Sequence, residues 1–152
     1  MSKAFVDDGN TRLAEQRAAH ERIRGRGHCP FCPKNLPLEH KKPILLTGNF
    51  WVVTENQYPY LNTKLHLLFI LKRHAETLGE LAPEEGAELF KLLSWAENKF
   101  NIPGGGIGMR FGKTDFSGGS VLHLHAQLVV PDLDAEGYAP TFFTIGKKGV
   151  PA

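Results

Sequence analysis

The chain has 152 residues, of which 41% are hydrophobic and 22% charged, and its formal net charge is +2 at pH 7. This length is enough for one hydrophobic core and short for two, so we expect a single domain over residues 1–152. The net charge is too small to indicate a nucleic-acid-binding surface by itself. The longest apolar runs fall far short of the roughly 20 residues that a membrane span requires. We therefore expect neither nucleic acid nor membrane as a partner.

The N-terminal segment is polar and lacks the apolar stretch of a secretory signal, which favours a cytoplasmic location. From Asp8 to about Arg24 it carries apolar residues at loosely helical spacing. This pattern predicts one amphipathic helix, ended by Gly25 and Gly27, within a helical extension of residues 1–28. A proline-rich connection follows it.

Four apolar segments after this extension have the composition of β-strands. Residues 50–53 and 65–71 are separated by a turn-forming segment and are expected to pair antiparallel. Further strands are expected over 107–111 and 121–130, and a helix between the two pairs should begin near Pro83. The apolar face of that helix is Leu89, Leu92, Leu93, Ala96 and Phe100. The order of elements predicts an α+β domain, with an antiparallel sheet of about five strands, a packed helix and an irregular tail at residues 132–152.

The predicted strand over 121–130 carries nitrogen-bearing side chains at alternate positions: His123, His125 and Gln127. Residues i, i+2 and i+4 of a strand share one face, so these three should converge. A solvated polar face is the alternative explanation of such alternation. Because the chain has only seven histidines, two of them on one strand face favour a functional site. The small-residue loop before the strand, residues 117–120, could offer N–H groups and a hydroxyl to an anion.

The run from Gly118 to Val130 resembles the signature of the histidine triad (HIT) superfamily. The segment from Tyr58 to His74 resembles the upstream strand pair of that superfamily, and the resemblance covers roughly residues 29–131. In such proteins the middle histidine attacks the α-phosphorus of a nucleotide, and water, phosphate or a sugar phosphate then resolves the nucleotidyl-histidine intermediate. The resemblance therefore implies a HIT-like fold, a nucleotide substrate and a twofold homodimer.

Carried over by position, the resemblance makes His125 the nucleophile and includes His123 and Gln127 in the catalytic set. It places Asn62 in the loop that usually meets the ribose. It makes Ser120 the phosphate-contacting serine. The N–H groups of Gly118 and Gly119 and the amide of Gln127 are expected to complete the phosphate-binding group, because they can stabilise charge on phosphoryl oxygens.

Glutamine at the third triad position departs from the form with three histidines. An amide donates hydrogen bonds but has no useful proton to give, so Gln127 suits a leaving group that departs unaided, such as a phosphate. This HxHxQ form resembles the branches that include galactose-1-phosphate uridylyltransferase and the diadenosine polyphosphate phosphorylases and hydrolases. A second departure is Gly112, at a position where many members carry asparagine.

The two cysteines, Cys29 and Cys32, form a CxxC pair that supplies half of a tetrahedral zinc site. The residues alone leave the other two ligands open among five histidines: His28, His40, His66, His74 and His123. Resemblance to zinc-bearing members selects His74 and His123 for a structural zinc, with His40 as the main rival. A redox-active pair and unliganded thiols are the alternatives to zinc. His66 lies in an apolar strand, which favours a packing or hydrogen-bonding role.

The favoured function is that of a nucleotide-binding hydrolase or nucleotidyltransferase, an enzyme that acts on a phosphoric anhydride bond. It would attack the α-phosphate of a dinucleoside polyphosphate or a nucleoside-diphosphate compound. The alternative is a nucleotide-binding or zinc-stabilised scaffold protein without turnover. The sequence leaves the base and the acceptor open.

Overall fold

The structure is a computed structural model that describes residues 3–148. Its strands are β1 (Ile44–Thr47), β2 (Trp51–Glu55), β3 (Thr63–Leu71), β4 (Gly106–Met109) and β5 (His125–Pro131). Its α-helices are α1 (Ala14–Arg26), α2 (Leu36–Glu39), α3 (Pro83–Lys99) and α4 (Thr114–Ser117). Two short 3-10 helices span Asp8–Asn10 and Leu78–Glu80.

All five strands belong to one antiparallel sheet, in the order β1-β2-β3-β5-β4. One sheet face packs against α3, because Leu67 and Phe69 of β3 and Ala126 and Leu128 of β5 share a buried cluster with Leu92 of the helix. The intervening residues of β3 and β5 point to the opposite face. The prediction of an α+β domain with about five strands and a packed helix is confirmed. No helix within residues 3–148 is long and apolar enough to cross a membrane.

The last strand begins later than the sequence predicts, at His125 instead of Val121. The reason is that N–H groups in residues 121–124 bond to segments outside the sheet, although the Leu124 carbonyl still accepts from the Leu71 N–H of β3. Val121 forms an isolated bridge with Val6, the N–H of Leu122 donates to the Phe5 carbonyl, and the N–H of Leu124 donates to Ala75. His123 therefore precedes the strand that carries His125 and Gln127.

The N-terminal helix is also shorter than predicted, since it begins at Ala14 and not at Asp8. The carboxylate of Asp7 accepts a hydrogen bond from the Gly9 N–H and stabilises a separate 3-10 turn instead. The helix continues through Gly25 and ends at Gly27, whose φ of 65° is the left-handed conformation that glycine adopts readily. Strand β1 and the short helices α2 and α4 were not predicted.

Candidate functional site

A cavity of about 220 Å³ lies on the sheet face opposite α3. His125 and Gln127 form part of its floor, and its walls come from the N-terminal segment, the loop at residues 118–121 and the tail at residues 142–148. The alternation of β5 explains this placement, because Leu124, Ala126 and Leu128 pack into the core while the intervening side chains face the cavity.

The His125 ring is held in one tautomer. Its Nδ1 lies 2.7 Å from the carbonyl oxygen of His123, and a carbonyl can only accept, so Nδ1 carries the proton. Its Nε2 is then the nitrogen with a free lone pair. Burial lowers the pKa of His125 to about 4, which keeps the imidazole neutral near pH 7. Phe31 packs edge-on against the ring, with 5.0 Å between ring centroids. The geometry is that of a neutral, oriented nucleophile.

Gln127 is oriented by a buried histidine on the neighbouring strand. The Tyr60 N–H donates to Nδ1 of His66 over 3.1 Å, so the proton of the neutral ring lies on Nε2. Nε2 of His66 in turn donates to Oε1 of Gln127 over 2.7 Å. The amide oxygen of Gln127 is thereby occupied, and its NH₂ group is left to donate into the cavity. Burial lowers the pKa of His66 to about 4, in keeping with the neutral form that this arrangement requires.

Four predicted metal ligands meet beside this cavity. The ligand atoms of Cys29, Cys32, His74 and His123 all lie within 4.8 Å of one another. The Nδ1 atom of His123 is 3.2 Å from Sγ of Cys29 and 3.2 Å from Nδ1 of His74. Sγ of Cys32 is 3.5 Å from Nδ1 of His74. Zinc–nitrogen bonds of about 2.0–2.1 Å and zinc–sulfur bonds of about 2.3 Å give tetrahedron edges of roughly 3.3–3.8 Å. The four residues therefore fit a tetrahedral zinc ion.

The outer nitrogens of the two histidines support the same conclusion. Nε2 of His123 donates to the Leu71 carbonyl over 2.6 Å, and Nε2 of His74 lies 2.8 Å from a carboxylate oxygen of Glu76. Oxygen partners of this kind orient metal-binding imidazoles and raise their basicity. Nε2 of His123 is bonded to Leu71, its Nδ1 lies within the cluster, and the residue does not line the cavity. This arrangement favours the expected ligand role, while its expected place in the catalytic set stays a prediction.

The alternatives for the CxxC pair lose support from the structure. His40, the rival ligand, lies 2.7 Å from the Thr54 hydroxyl and is outside the cluster. Burial raises the pKa of the Cys29 thiol to about 12. Redox-active cysteines instead need a lowered thiol pKa. A bound cation would stabilise the thiolate that burial disfavours.

The loop before β5 offers fewer phosphate donors than the sequence suggests. The N–H of Gly118 donates to Thr114, and the N–H of Gly119 donates to the Ser117 hydroxyl. Both peptide groups are thus occupied within the loop, although both glycines line the cavity. Ser120 also lines the cavity and carries a hydroxyl that can donate to a phosphate. The phosphate contacts of these three residues stay predictions.

The predicted ribose contact, Asn62, lies away from the residues that line the cavity. It has a left-handed φ of 61°, and its carbonyl accepts a hydrogen bond from Asp132, so it serves the turn before β3. Asn56, at the end of the preceding strand, lines the cavity instead, and its side-chain oxygen accepts the Tyr58 N–H. The sequence analysis did not identify Asn56, because the local sequence does not indicate which of the two asparagines lines the cavity.

Two arginines that sequence reasoning also missed, Arg12 and Arg110, line the same cavity. Neither lies in the part of the triad signature that carries chemistry. Arg12 comes from the segment that the sequence analysis treats as an extension, and Arg110 directly follows β4, which ends at Met109. Docking of the N-terminal segment onto the loop at residues 119–122 brings Arg12 to the site, and pairing of β4 with β5 brings Arg110 there. No local pattern indicates either arginine as a site residue.

No protein-family model matches this sequence, and no curated protein matches it either. Solved structures do resemble it. A histidine triad nucleotide-binding protein from Candida albicans aligns with a TM-score of 0.59 at 17% identity, over 82% of this chain and 86% of that one. A HIT family hydrolase from Clostridium thermocellum aligns with a TM-score of 0.54 at 21% identity, over 72% of this chain and 94% of the other.

A zinc-bound histidine triad family protein from Mycobacterium smegmatis aligns with a TM-score of 0.51 at 22% identity, over 68% of this chain and 73% of that chain. At these identities the likeness concerns the path of the backbone and not the chemistry. This chain therefore has the fold of the histidine triad proteins.

Proposed function

We propose that this protein is a nucleotide-binding hydrolase or nucleotidyltransferase that attacks an α-phosphate through His125. The observation that carries the proposal is the hydrogen bond from Nδ1 of His125 to the His123 carbonyl, which leaves Nε2 unprotonated beside the cavity. A hydrolase and a nucleotide-binding protein among the structural neighbours support the same class of function.

In the first step, Nε2 of His125 donates its lone pair to the α-phosphorus of a dinucleoside polyphosphate or nucleoside-diphosphate compound. The bond from that phosphorus to the bridging oxygen breaks, and its electron pair leaves with the phosphate chain. The NH₂ group of Gln127 and the hydroxyl of Ser120 would stabilise the charge that develops on the phosphoryl oxygens. Since Gln127 has no proton to give, a phosphate that leaves as an anion suits the site.

In the second step, an acceptor oxygen attacks the phosphorus of the nucleotidyl-histidine. The phosphorus–nitrogen bond breaks, and its electron pair returns to Nε2 of His125. With water as acceptor, the proton of the water is released to solvent. Throughout both steps Nδ1–H of His125 remains bonded to the His123 carbonyl, which stabilises the cationic imidazole of the intermediate.

A structural zinc ion would be held by Cys29, Cys32, His74 and His123. It would supply a fixed crosslink between the CxxC segment and the start of β5, not chemistry on the substrate. Because the His123 carbonyl orients His125, and Phe31 of the CxxC segment packs on the same ring, this crosslink would hold the nucleophile in place.

The test is a labelling experiment with diadenosine tetraphosphate that carries label on the α-phosphate. We expect acid-labile, base-stable label on the wild-type protein and none on His125→Ala. His28→Gln is a matched control, since His28 is not among the residues that line the cavity, and it should leave labelling intact. Formation of ADP only when inorganic phosphate is added would identify phosphate as the acceptor.

The scaffold alternative predicts the opposite set of results. A protein without turnover would bind the nucleotide, take up no label, and keep its affinity in His125→Ala. Label that persists in His125→Ala would also contradict the proposal, because a different side chain would then be the nucleophile.

A further inference from the structure

Two guanidinium groups are fixed around one tyrosine at the cavity. The Arg12 guanidinium lies over the ring face of Tyr60, 4.3 Å from its centroid. The guanidinium of Arg110 donates to the hydroxyl of the same tyrosine over 3.0 Å. All three residues line the cavity that contains His125 and Gln127.

Backbone carbonyls and aromatic rings hold both arginines in place. Arg12 donates to the carbonyls of Tyr58 and Pro59. Arg110 donates twice to the Thr144 carbonyl and lies 4.0 Å from the ring centroid of Phe143. Both side chains are thereby preorganised, so a ligand that they bind would not have to order them.

Neither arginine has a carboxylate partner within residues 3–148. Guanidinium groups stay charged at all physiological pH values. The two charges are close enough to interact: the pKa of Arg12 is lowered mainly by burial and further by the positive charge of Arg110. Two fixed cations without a counter-ion make this side of the cavity a place where an anion is favoured.

We propose that Arg12 and Arg110 bind the phosphates beyond the α-phosphate of the substrate, and so select nucleotides with a polyphosphate chain over nucleoside monophosphates. This inference rests on the proposed function, which places the α-phosphate at His125. Of the five N–H donors of a guanidinium, Arg12 uses two and Arg110 three within the protein. Both therefore retain donors for phosphate oxygens.

The assignment divides the cavity into two parts with different tasks. Gln127 and Ser120 would contact the phosphoryl group under attack, while the arginine pair would hold the chain that departs. Charge on the departing phosphate grows as the bond breaks, so the arginines would favour the leaving group that Gln127 cannot protonate. A leaving group without charge, such as an amine, gains nothing from them.

The experiment is calorimetric titration with AMP, ATP and inorganic tripolyphosphate, without magnesium, in a His125→Asn background that removes turnover. We expect ATP to bind at least about tenfold more tightly than AMP, and Arg12→Ala or Arg110→Ala to reduce this ratio about tenfold, as loss of a charge-assisted hydrogen bond predicts. Arg22→Ala, on the outer side of α1 and away from the cavity lining, is the matched control and should keep the ratio.

An ATP-to-AMP ratio that is unchanged in both alanine variants would overturn the proposal. If an alanine variant fails to fold, Arg12→Gln and Arg110→Gln replace the alanine variants, since glutamine removes the charge but keeps a polar side chain. An ATP-to-AMP ratio equal to that of the parent protein in both glutamine variants would also overturn the proposal. Label at His125 with an unchanged ratio would refute the arginine site and leave the proposed function standing. Arginine-dependent binding of tripolyphosphate without any label would refute the proposed function and leave the anion site standing.

Discussion

Nε2 of His66 lies 2.7 Å from Oε1 of Gln127, so a histidine on β3 decides which end of the Gln127 amide faces the cavity. Replacing His66 with phenylalanine keeps a ring in the same buried space but removes both hydrogen bonds. We expect kcat to fall about 10- to 100-fold, because a misdirected amide loses roughly 1–3 kcal/mol of interaction in the transition state. KM should change little, which steady-state kinetics can measure. A stability loss with unchanged kcat would contradict this positioning role.

The same histidine should make stability depend on pH. Its pKa is about 4 in the folded protein and 6.5 in its ordinary state, so between these values the unfolded chain binds a proton that the folded chain does not. The contribution of neutral His66 to the free energy of unfolding is therefore fully present above about pH 6.5 and is lost as the pH falls towards 4.

Each such group contributes a slope of at most about 1.4 kcal/mol per pH unit in this window. Urea unfolding of the wild-type protein and of His66→Phe from pH 4.5 to 7.5 measures the contribution. The free energy of unfolding should depend less steeply on pH in His66→Phe than in the wild-type protein, by up to about 1.4 kcal/mol per pH unit. Parallel curves for the two proteins would show that His66 is protonated in the folded state as well.

Metal analysis tests the cysteine–histidine cluster. We expect about one zinc ion per chain in the purified protein, almost none in Cys32→Ser, and a lower melting temperature after treatment with a chelator, because a structural zinc site contributes folding energy. His40→Gln is the control, since His40 pairs with Thr54 and lies outside the cluster. Loss of zinc from His40→Gln with retention in Cys32→Ser would reverse the assignment.

Gly118 packs closely against Gly146 of the tail, which forms part of the cavity wall. Its φ is 69°, and a Cβ at this position would collide with the carbonyl of Gly146. Gly118→Ala should destabilise the protein by about 1–3 kcal/mol through backbone strain and should displace the tail. Limited proteolysis would then cut residues 142–148 faster than in the wild-type protein. Gly137→Ala is the control, because it has a similar φ of 66° with nothing near its Cβ.

The features that could be predicted from this sequence depend on short-range periodicity, such as the alternation of side chains along a strand. Alternation along β3 and β5 indicated which side of the sheet His125 and Gln127 share, and the resemblance selected His74 and His123 over His40. The pattern could not indicate where β5 begins, because Val121 and its neighbours bond to residues more than a hundred positions earlier.

Arg12 and Arg110 escaped prediction for the same physical reason. Each is an ordinary charged residue in its local context, and only tertiary docking brings it to the cavity. The resemblance placed Asn62 in the loop expected to meet the ribose, whereas Asn56, directly after β2, lines the cavity. The orientation of a side chain at a strand end depends on the loop that follows, which short-range patterns describe poorly.

The contact between Lys148 and Asn10, separated by 138 positions in the chain, sets an order of assembly. Residues 142–148 are the last of the described chain to be synthesised, and they supply part of the cavity wall. A chain that lacks them would leave His125 in an open groove. The enclosed cavity, with Arg110 anchored to Thr144, can form only when the last of these residues have been released.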